Sequence, residues 1–321
     1  MSEPAPIIGA SPLRKEGRAK VLGRTQYVDD IALPGMWYGA TVRSTIARGR
    51  IASITYLPHI DWSQFTIVTA DDIPGENCII HLTKDHPCLA ATHINHPAEP
   101  ILLLAHAEKT ALAAAVEAVH ITYEELPGVF TIEDSELDAA GNSSKVIWDH
   151  PGYGGTPNTF KAFLMQKSRD SGSSYVPAGP QADPEAALAA AFAAADFIVE
   201  GEYRTGAQEQ LYIENNGVIA EVFRAAGEGP AGAIESVTVR GSMQCPYYLV
   251  HALELVFNLP AEKCRVIQTE TGGAFGGKED FPSVIGSHAA LLAMKSGHPV
   301  KLCYDRAEDL IATTKRHPSR T

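Results

Sequence analysis

The stretch Thr271–Asp280, TGGAFGGKED, carries four glycines in ten residues. It lies between the β-branched run CRVIQTE and an apolar run of helical character over about Pro282–Lys295. A chain that passes from strand to helix through such a loop presents backbone N–H groups at a helix entrance, where negative charge is favoured. The plainest reading is a tight turn in which glycine supplies positive φ. Two nucleotide-binding patterns come close and fail. Gly272, Gly277 and Lys278 fit the phosphate cradle G-x-x-x-x-G-K-[ST], but the next residue is Glu279. A hydroxyl there would ligate magnesium, whereas a carboxylate repels a triphosphate. The paired glycines do not give the G-x-G-x-x-G spacing of a dinucleotide site. Close approach of an oxyanion or a metal-oxo group to the main chain remains as the functional alternative to a bare turn.

The surrounding chain narrows the class. Its 321 residues allow two or three domains, and 45% hydrophobic residues allow real cores. A net charge of −12 speaks against a general nucleic-acid binder. The start, MSEPAPIIGASPLRKEG, lacks the apolar core of a secretory signal, and no apolar window approaches the ~20 residues of a membrane span. The expectation is a cytoplasmic protein without a membrane partner. Five scattered cysteines with no C-x-x-C argue against an iron–sulfur or zinc site carried by this chain. The histidines show no H-x-x-x-H spacing, so a metal held by side chains is not expected.

Periodicity predicts an α+β fold. KVLGRTQYVDDIALPGMWYGATVRS reads as short strands around a turn at Leu33-Pro34-Gly35, and Phe65–Thr69 as a strand. An alanine-rich helix over about Ala107–Val119 runs into the strand HITYEEL. These elements make a first unit over 14–128. Residues 129–181, rich in Gly, Ser and Pro, read as an inter-domain connection. A second unit over 182–321 opens on a helix with Asp183 as N-cap and Pro184 in the first turn, ending near Ala195. The strands FIVEGEYRT, NNGVIAEVFR and ESVTVRGSM follow. The helix PYYLVHALELVFNL and the strand CRVIQTE lead into the glycine loop. HPVKLCYD is a further strand after it.

Five blocks, in order, resemble the xanthine dehydrogenase and aldehyde oxidase family, in its large molybdopterin-binding region. GRAKVLGRTQYVDDIALPGMWYGATVRS and VEAVHITYEELPGVFTIEDS are similar to the opening and closing of that family's a/b hammerhead domain. GEYRTGAQEQLYIENNGVIAEV resembles its Q-E-H-x-x-x-E stretch, with Gln210 where histidine is frequent. GSMQCPYYLVHALELVFNLPAEKCRVIQTETGGAFGGKE and YDRAEDLIATTKRHP resemble the start of the molybdopterin-binding domain. The fold implied is a hammerhead domain followed by the first part of a molybdopterin-binding domain.

The resemblance implies roles. Gly273, Ala274, Phe275, Gly276 and Gly277 would form the cofactor loop, with the amides of Phe275 and Gly276 facing the molybdenum's oxo ligand. Fixed N–H dipoles suit that charge because they need no reorganisation. Gln244 would donate its side-chain amide to the same oxygen. Glu279 would face the substrate as the carboxylate of purine-oxidising members, where aldehyde oxidases commonly carry an apolar residue. The ordinary reading of each is a core aromatic, an exposed amide and a solvated acid in a helix's first turn. Lys278 reads as a surface or supporting residue, and Gln208, Glu209 and Glu214 receive no individual role.

The reaction implied is hydroxylation of a purine-like C–H with water as oxygen source. An aldehyde or another N-heterocycle is the alternative substrate, and a non-catalytic remnant or subunit-binding module the alternative of another class. The cofactor implied is molybdenum–molybdopterin, with its cytosine dinucleotide form left open, and 2Fe-2S clusters and FAD on partner chains. The family's general base lies in a later part of the molybdenum region, so no residue here matches it. The expectation is a chain completed by the C-terminal part of the molybdopterin subunit, either as a split subunit or as a truncated product, and inactive alone.

Overall fold

The computed structural model describes residues 8–81, 83–136, 146–147, 157–159, 163–166, 174–177, 184–225 and 232–321. The chain divides into two compact units, Met1–Glu124 with Glu209–Lys315, and Glu125–Gln208 with Arg316–Thr321. Secondary structure is mixed α+β, as the periodicity predicts. No helix among the described residues is long and apolar enough to cross a membrane.

The first unit begins with a short helix, α1 (Gly17–Val21), and a 3-10 turn at Val28–Asp30. Strands β1 (Trp37–Arg43), β2 (Gly49–Tyr56), β3 (Thr66–Val68), β4 (His93–Ile94) and β5 (Pro100–His106) follow, then α2 (Lys109–Glu117) and β6 (Val119–Glu125). Only one strand, β1, arises where short strands around the Leu33-Pro34-Gly35 turn were expected. Upstream, the Asp30 carboxylate accepts the Tyr27 N–H at 2.9 Å and closes a turn that competes with extended pairing.

The second unit's described elements are α3 (Ile132–Ser135), the hairpin β7 (Phe163–Gln166) and β8 (Ser174–Pro177), α4 (Pro184–Ala193), β9 (Arg204–Thr205) and β14 (Ser319–Arg320). Most of the connection expected over 129–181 lies outside the described residues, as does the Asp183 cap. The strand expected over FIVEGEYRT shrinks to Arg204–Thr205, paired with β14. Its apolar residues Phe197 and Val199 are more than 90% exposed, so no packing rewards an extended ladder there.

The chain returns to the first unit through β10 (Gly217–Arg224), β11 (Ile234–Gly241), α5 (Pro246–Phe257), β12 (Cys264–Gln268), α6 (Pro282–Ser296), β13 (Val300–Cys303) and α7 (Arg306–Ala312). One seven-stranded sheet runs β12-β11-β10-β13-β1-β5-β3. The pairs β1–β13 and β11–β12 are parallel and the rest antiparallel. Strand β13 sits between β1 and β10, so the 14–128 and 182–321 segments share one sheet. A second sheet has the order β4-β2-β6.

Strand β5 shows why the seven-stranded sheet can be covered on both faces. PILLLAH is an unbroken apolar run, as a strand buried on both sides requires. Alternation sends Leu103 and Ala105 into the core beneath α5 and α6, while Leu102 and Leu104 pack with Val42, Leu112 and Ala115 on the side of α2. Helix α6 packs on β10, β13, β3 and α5, and its residues from Pro282 to Ala293 are all buried. It ends where Gly297 takes φ 72°, a left-handed stop natural to glycine. The glycine loop is thus anchored by a sheet strand on one side and a core helix on the other.

Candidate active-site loop

The loop emerges from β12 and closes on the entrance to α6. Its two ends are packed rather than open. A Cβ on Gly272 would lie 2.6 Å from Glu214 Cβ, and one on Gly277 would overlap the Tyr212 ring at Cε1. These two glycines let Glu214 and Tyr212 press against the main chain. The middle of the loop is different. Phe275 has φ 51° and Gly276 φ 93°, and a Cβ on Gly276 would meet nothing within 4 Å. Positive φ at a bulky residue such as phenylalanine is strained and persists only where the surroundings fix it. Phe275 is 78% exposed, so it is not the core aromatic that its type alone suggests.

Gln244 lies between β11 and α5 and is tied to the loop at three points. Its backbone N–H donates to Lys278 O at 2.7 Å. Its side-chain Oε1 accepts the Gly276 N–H at 3.1 Å and the Lys278 N–H at 3.3 Å. Two N–H donors on one atom fix which end of the amide is oxygen, and leave the NH₂ as a donor. The Gly276 N–H, expected to face a bound oxygen, is therefore turned onto Gln244 instead. The reason is local: a positive-φ bend at residues 275–276 aims that N–H back at the neighbouring turn. The Phe275 N–H has no partner among the described residues. Ala274 and Gly277 are buried, and the Gly277 N–H donates to Ala274 O at 2.8 Å, so both support the bend from within. Gly273 takes φ 101° beside the Tyr212 side chain. Glu279 is exposed.

Beneath the loop lies a polar layer whose pairing the sequence does not specify. Lys278 is fully buried, not a surface residue. Its Nζ donates to Glu214 Oε2 at 3.1 Å and Ser242 Oγ at 2.9 Å, and lies 4.8 Å from the Tyr212 ring centre. Burial pulls the ammonium below its ordinary value, and Glu214 works the other way. Glu214 Oε2 also accepts the Gly272 N–H at 2.7 Å and Ser242 Oγ–H at 2.6 Å. Behind Tyr212, its hydroxyl donates to the buried Asp309 at 2.6 Å, and Asp309 accepts the Asn216 N–H at 2.6 Å. Burial, then the hydrogen bond to Asp309, raises the Tyr212 phenol. Glu209 pairs with Lys315 at 2.5 Å, and Gln208 bridges Arg316, so neither joins the loop. A Glu214–Lys278 pair 64 positions apart leaves no local signal; the one sequence hint is a polar cluster, YIENN, opening an apolar strand.

On the other side, Asp280 lies 3.7 Å from His81 Nδ1. Burial lowers the His81 imidazole, with Asp280 opposing.

Known proteins share this arrangement of segments. Residues 22–127 match the a/b hammerhead domain of aldehyde oxidase and xanthine dehydrogenase, and residues 178–321 match the molybdopterin cofactor-binding domain. The nicotinate dehydrogenase large molybdopterin subunit of Eubacterium barkeri is 29% identical over 97% of this chain and 64% of its own length. A probable xanthine dehydrogenase subunit of Bacillus subtilis (strain 168) is 29% identical over 97% of this chain and 36% of its own. The chain thus spans about two thirds of the first relative and about a third of the second. Quinoline 2-oxidoreductase from Pseudomonas putida 86 shares the fold with a TM-score of 0.73 at 22% identity, over 97% of this chain and 36% of that one. With both domain models matched in this order, the chain belongs to the xanthine dehydrogenase and aldehyde oxidase family of molybdopterin-binding proteins.

Proposed function

We propose that the loop and Gln244 form one wall of the active site of a molybdenum hydroxylase acting on an electron-poor N-heterocycle, with a xanthine-like purine as first candidate. The observation that carries the reading is the fixed orientation of Gln244: its oxygen accepts the Gly276 and Lys278 N–H groups, so its NH₂ is left as a donor at the bend. Two neutral donors on a strained bend with open space at Gly276 suit an anionic oxygen of a bound molybdenum–pterin group. The residues present fit that group, and no side chain of this loop is needed as a metal ligand. When bound, the group supplies a two-electron oxidation and an oxygen atom taken from water.

The chain's own residues then have defined tasks. Gln244 and Phe275 would hold an oxygen of that group by N–H donation. Glu279, exposed at the entrance to α6, accepts an N–H from the substrate ring and orients the carbon to be oxidised. The proton acceptor of the reaction, the 2Fe-2S clusters and the flavin are assigned to polypeptide beyond these residues, including the C-terminal part of the molybdopterin subunit.

The test is Glu279→Val in the complete enzyme. Losing one charge-assisted hydrogen bond predicts a fall in kcat/KM of about 10-fold or more for xanthine, with an aliphatic aldehyde affected less than about 3-fold. Equal losses for both substrates would remove Glu279 from the substrate face. Greater activity on nicotinate or on aldehydes than on xanthine in the unaltered enzyme would shift the substrate class to those compounds.

A further inference from the structure

We infer that the Lys278–Glu214–Ser242 cluster, with its lysine and serine buried, is a positioning device, setting the placement of the Gln244 amide relative to the Phe275 bend. The inference rests on the reading that these two donors hold a cofactor oxygen. Lys278 and Ser242 belong to the two segments that carry the donors, residues 275–278 and 242–244, and the lysine joins them: Nζ reaches Ser242 Oγ at 2.9 Å while the Lys278 main chain grips Gln244 through its O and N–H. Glu214 adds a third anchor, since one oxygen takes Lys278 Nζ, Ser242 Oγ–H and the Gly272 N–H together. Met243, between Ser242 and Gln244, is held in turn through its carbonyl by Gln268 Nε2 at 2.6 Å. Every polar contact of the lysine head is therefore spent on fixing loop geometry.

This arrangement explains the sequence G-G-K. Gly277 lets the Tyr212 ring approach the main chain, and the same ring lies 4.8 Å from the ammonium, closing the remaining side. A lysine is suited to the task because its four-carbon stem carries a compact charge into a fully enclosed site. None of the three residues is placed against substrate. Their effect is exerted through Gln244 and the bend at residues 275–276.

The experiment uses the complete enzyme and compares Ser242→Ala, Lys278→Met and Lys278→Arg. Ser242→Ala removes one contact from each partner and is the variant that keeps the core volume nearly intact. Amide hydrogen exchange at Gly276 and Lys278 should rise about 10-fold in Ser242→Ala and more in Lys278→Met, with partial recovery in Lys278→Arg. In the metal-loaded enzyme, kcat should fall between about 10-fold and 100-fold with KM unchanged, and the electron paramagnetic resonance signal of the metal should shift. Unchanged exchange at both amides in folded Ser242→Ala overturns the inference, whatever Lys278→Met does. Increased exchange with unchanged kcat and an unaltered signal overturns it too, because the clamp would then not reach the donors. An unaltered enzyme without molybdenum would instead refute the proposed function, while the exchange measurement still decides the clamp.

Discussion

Helices α4 and α6 have similar sequences and opposite fates. PEAALAAAFA and PSVIGSHAALLAMKS are both mostly small and apolar, both open on proline and both lack charge over most of their length. Helix α6 is buried from Pro282 to Ala293, whereas Leu188 and Phe192 of α4 are 58% and 48% exposed. Propensity explains why each is a helix. It does not say which one is covered. Helix α6 follows a strand of the large sheet and is followed by another, so it lies across β10, β13 and β3 with α5 beside it. Gly286 shows how close that packing is: a Cβ there would sit 2.6 Å from Leu249 Cδ1 of α5. Apolar composition measures capacity for burial, and topology decides whether that capacity is used.

That contrast can be broken by substitution. Leu291→Ala in α6 should cost about 2–5 kcal/mol, the range for a fully buried leucine. Leu188→Ala in α4 should change denaturant unfolding by less than about 0.5 kcal/mol. Similar losses at both sites would mean that α4 is packed in solution. A second test uses acid. Full burial pushes His288 of α6 down to about 3, with its Nε2 on Cys88 O at 2.8 Å, and burial with neighbouring histidines brings His86 to about 4. Both are lowered below the ordinary 6.5, so the unfolded chain takes up protons first and stability falls as pH drops. The loss should begin near pH 6.5 and grow by about 1.4 kcal/mol per pH unit for each histidine until the folded values are reached. His288→Gln should lower the slope of unfolding free energy against pH below 6.5; an unchanged slope would show that His288 is accessible. A small effect is also expected at the surface pair of Lys295 with Asp72, 2.5 Å apart, where Lys295→Ala should cost less than about 1 kcal/mol and less still in high salt.

Much of this architecture is legible in the chain itself. The run CRVIQ, the glycine loop and the apolar stretch after Pro282 form strand, bend and helix as their local chemistry requires. Helix α5 begins at Pro246 and ends where Asn258 takes φ 50°, a position asparagine tolerates. Expectation and structure part where tertiary context overrides propensity. FIVEGEYRT has the composition of a strand but gains no buried face. Lys278 reads from its type as a surface or a supporting residue; the structure makes it the second, and the convergence of Glu214 and Ser242 makes its burial tolerable.

The sequence by itself determined most of the helices and strands, the family and the place of the glycine loop, because these depend on neighbours a few residues apart and on motifs read in order. Only the tertiary structure decided that β13 enters between β1 and β10, that Gln244 turns its oxygen to the loop, and that one buried ion pair underlies it. Those features join residues 32 to more than 250 positions apart, and the chain alone does not say which distant groups will meet. Burial selects among them, since a charge or amide removed from water must find its partner within hydrogen-bond reach.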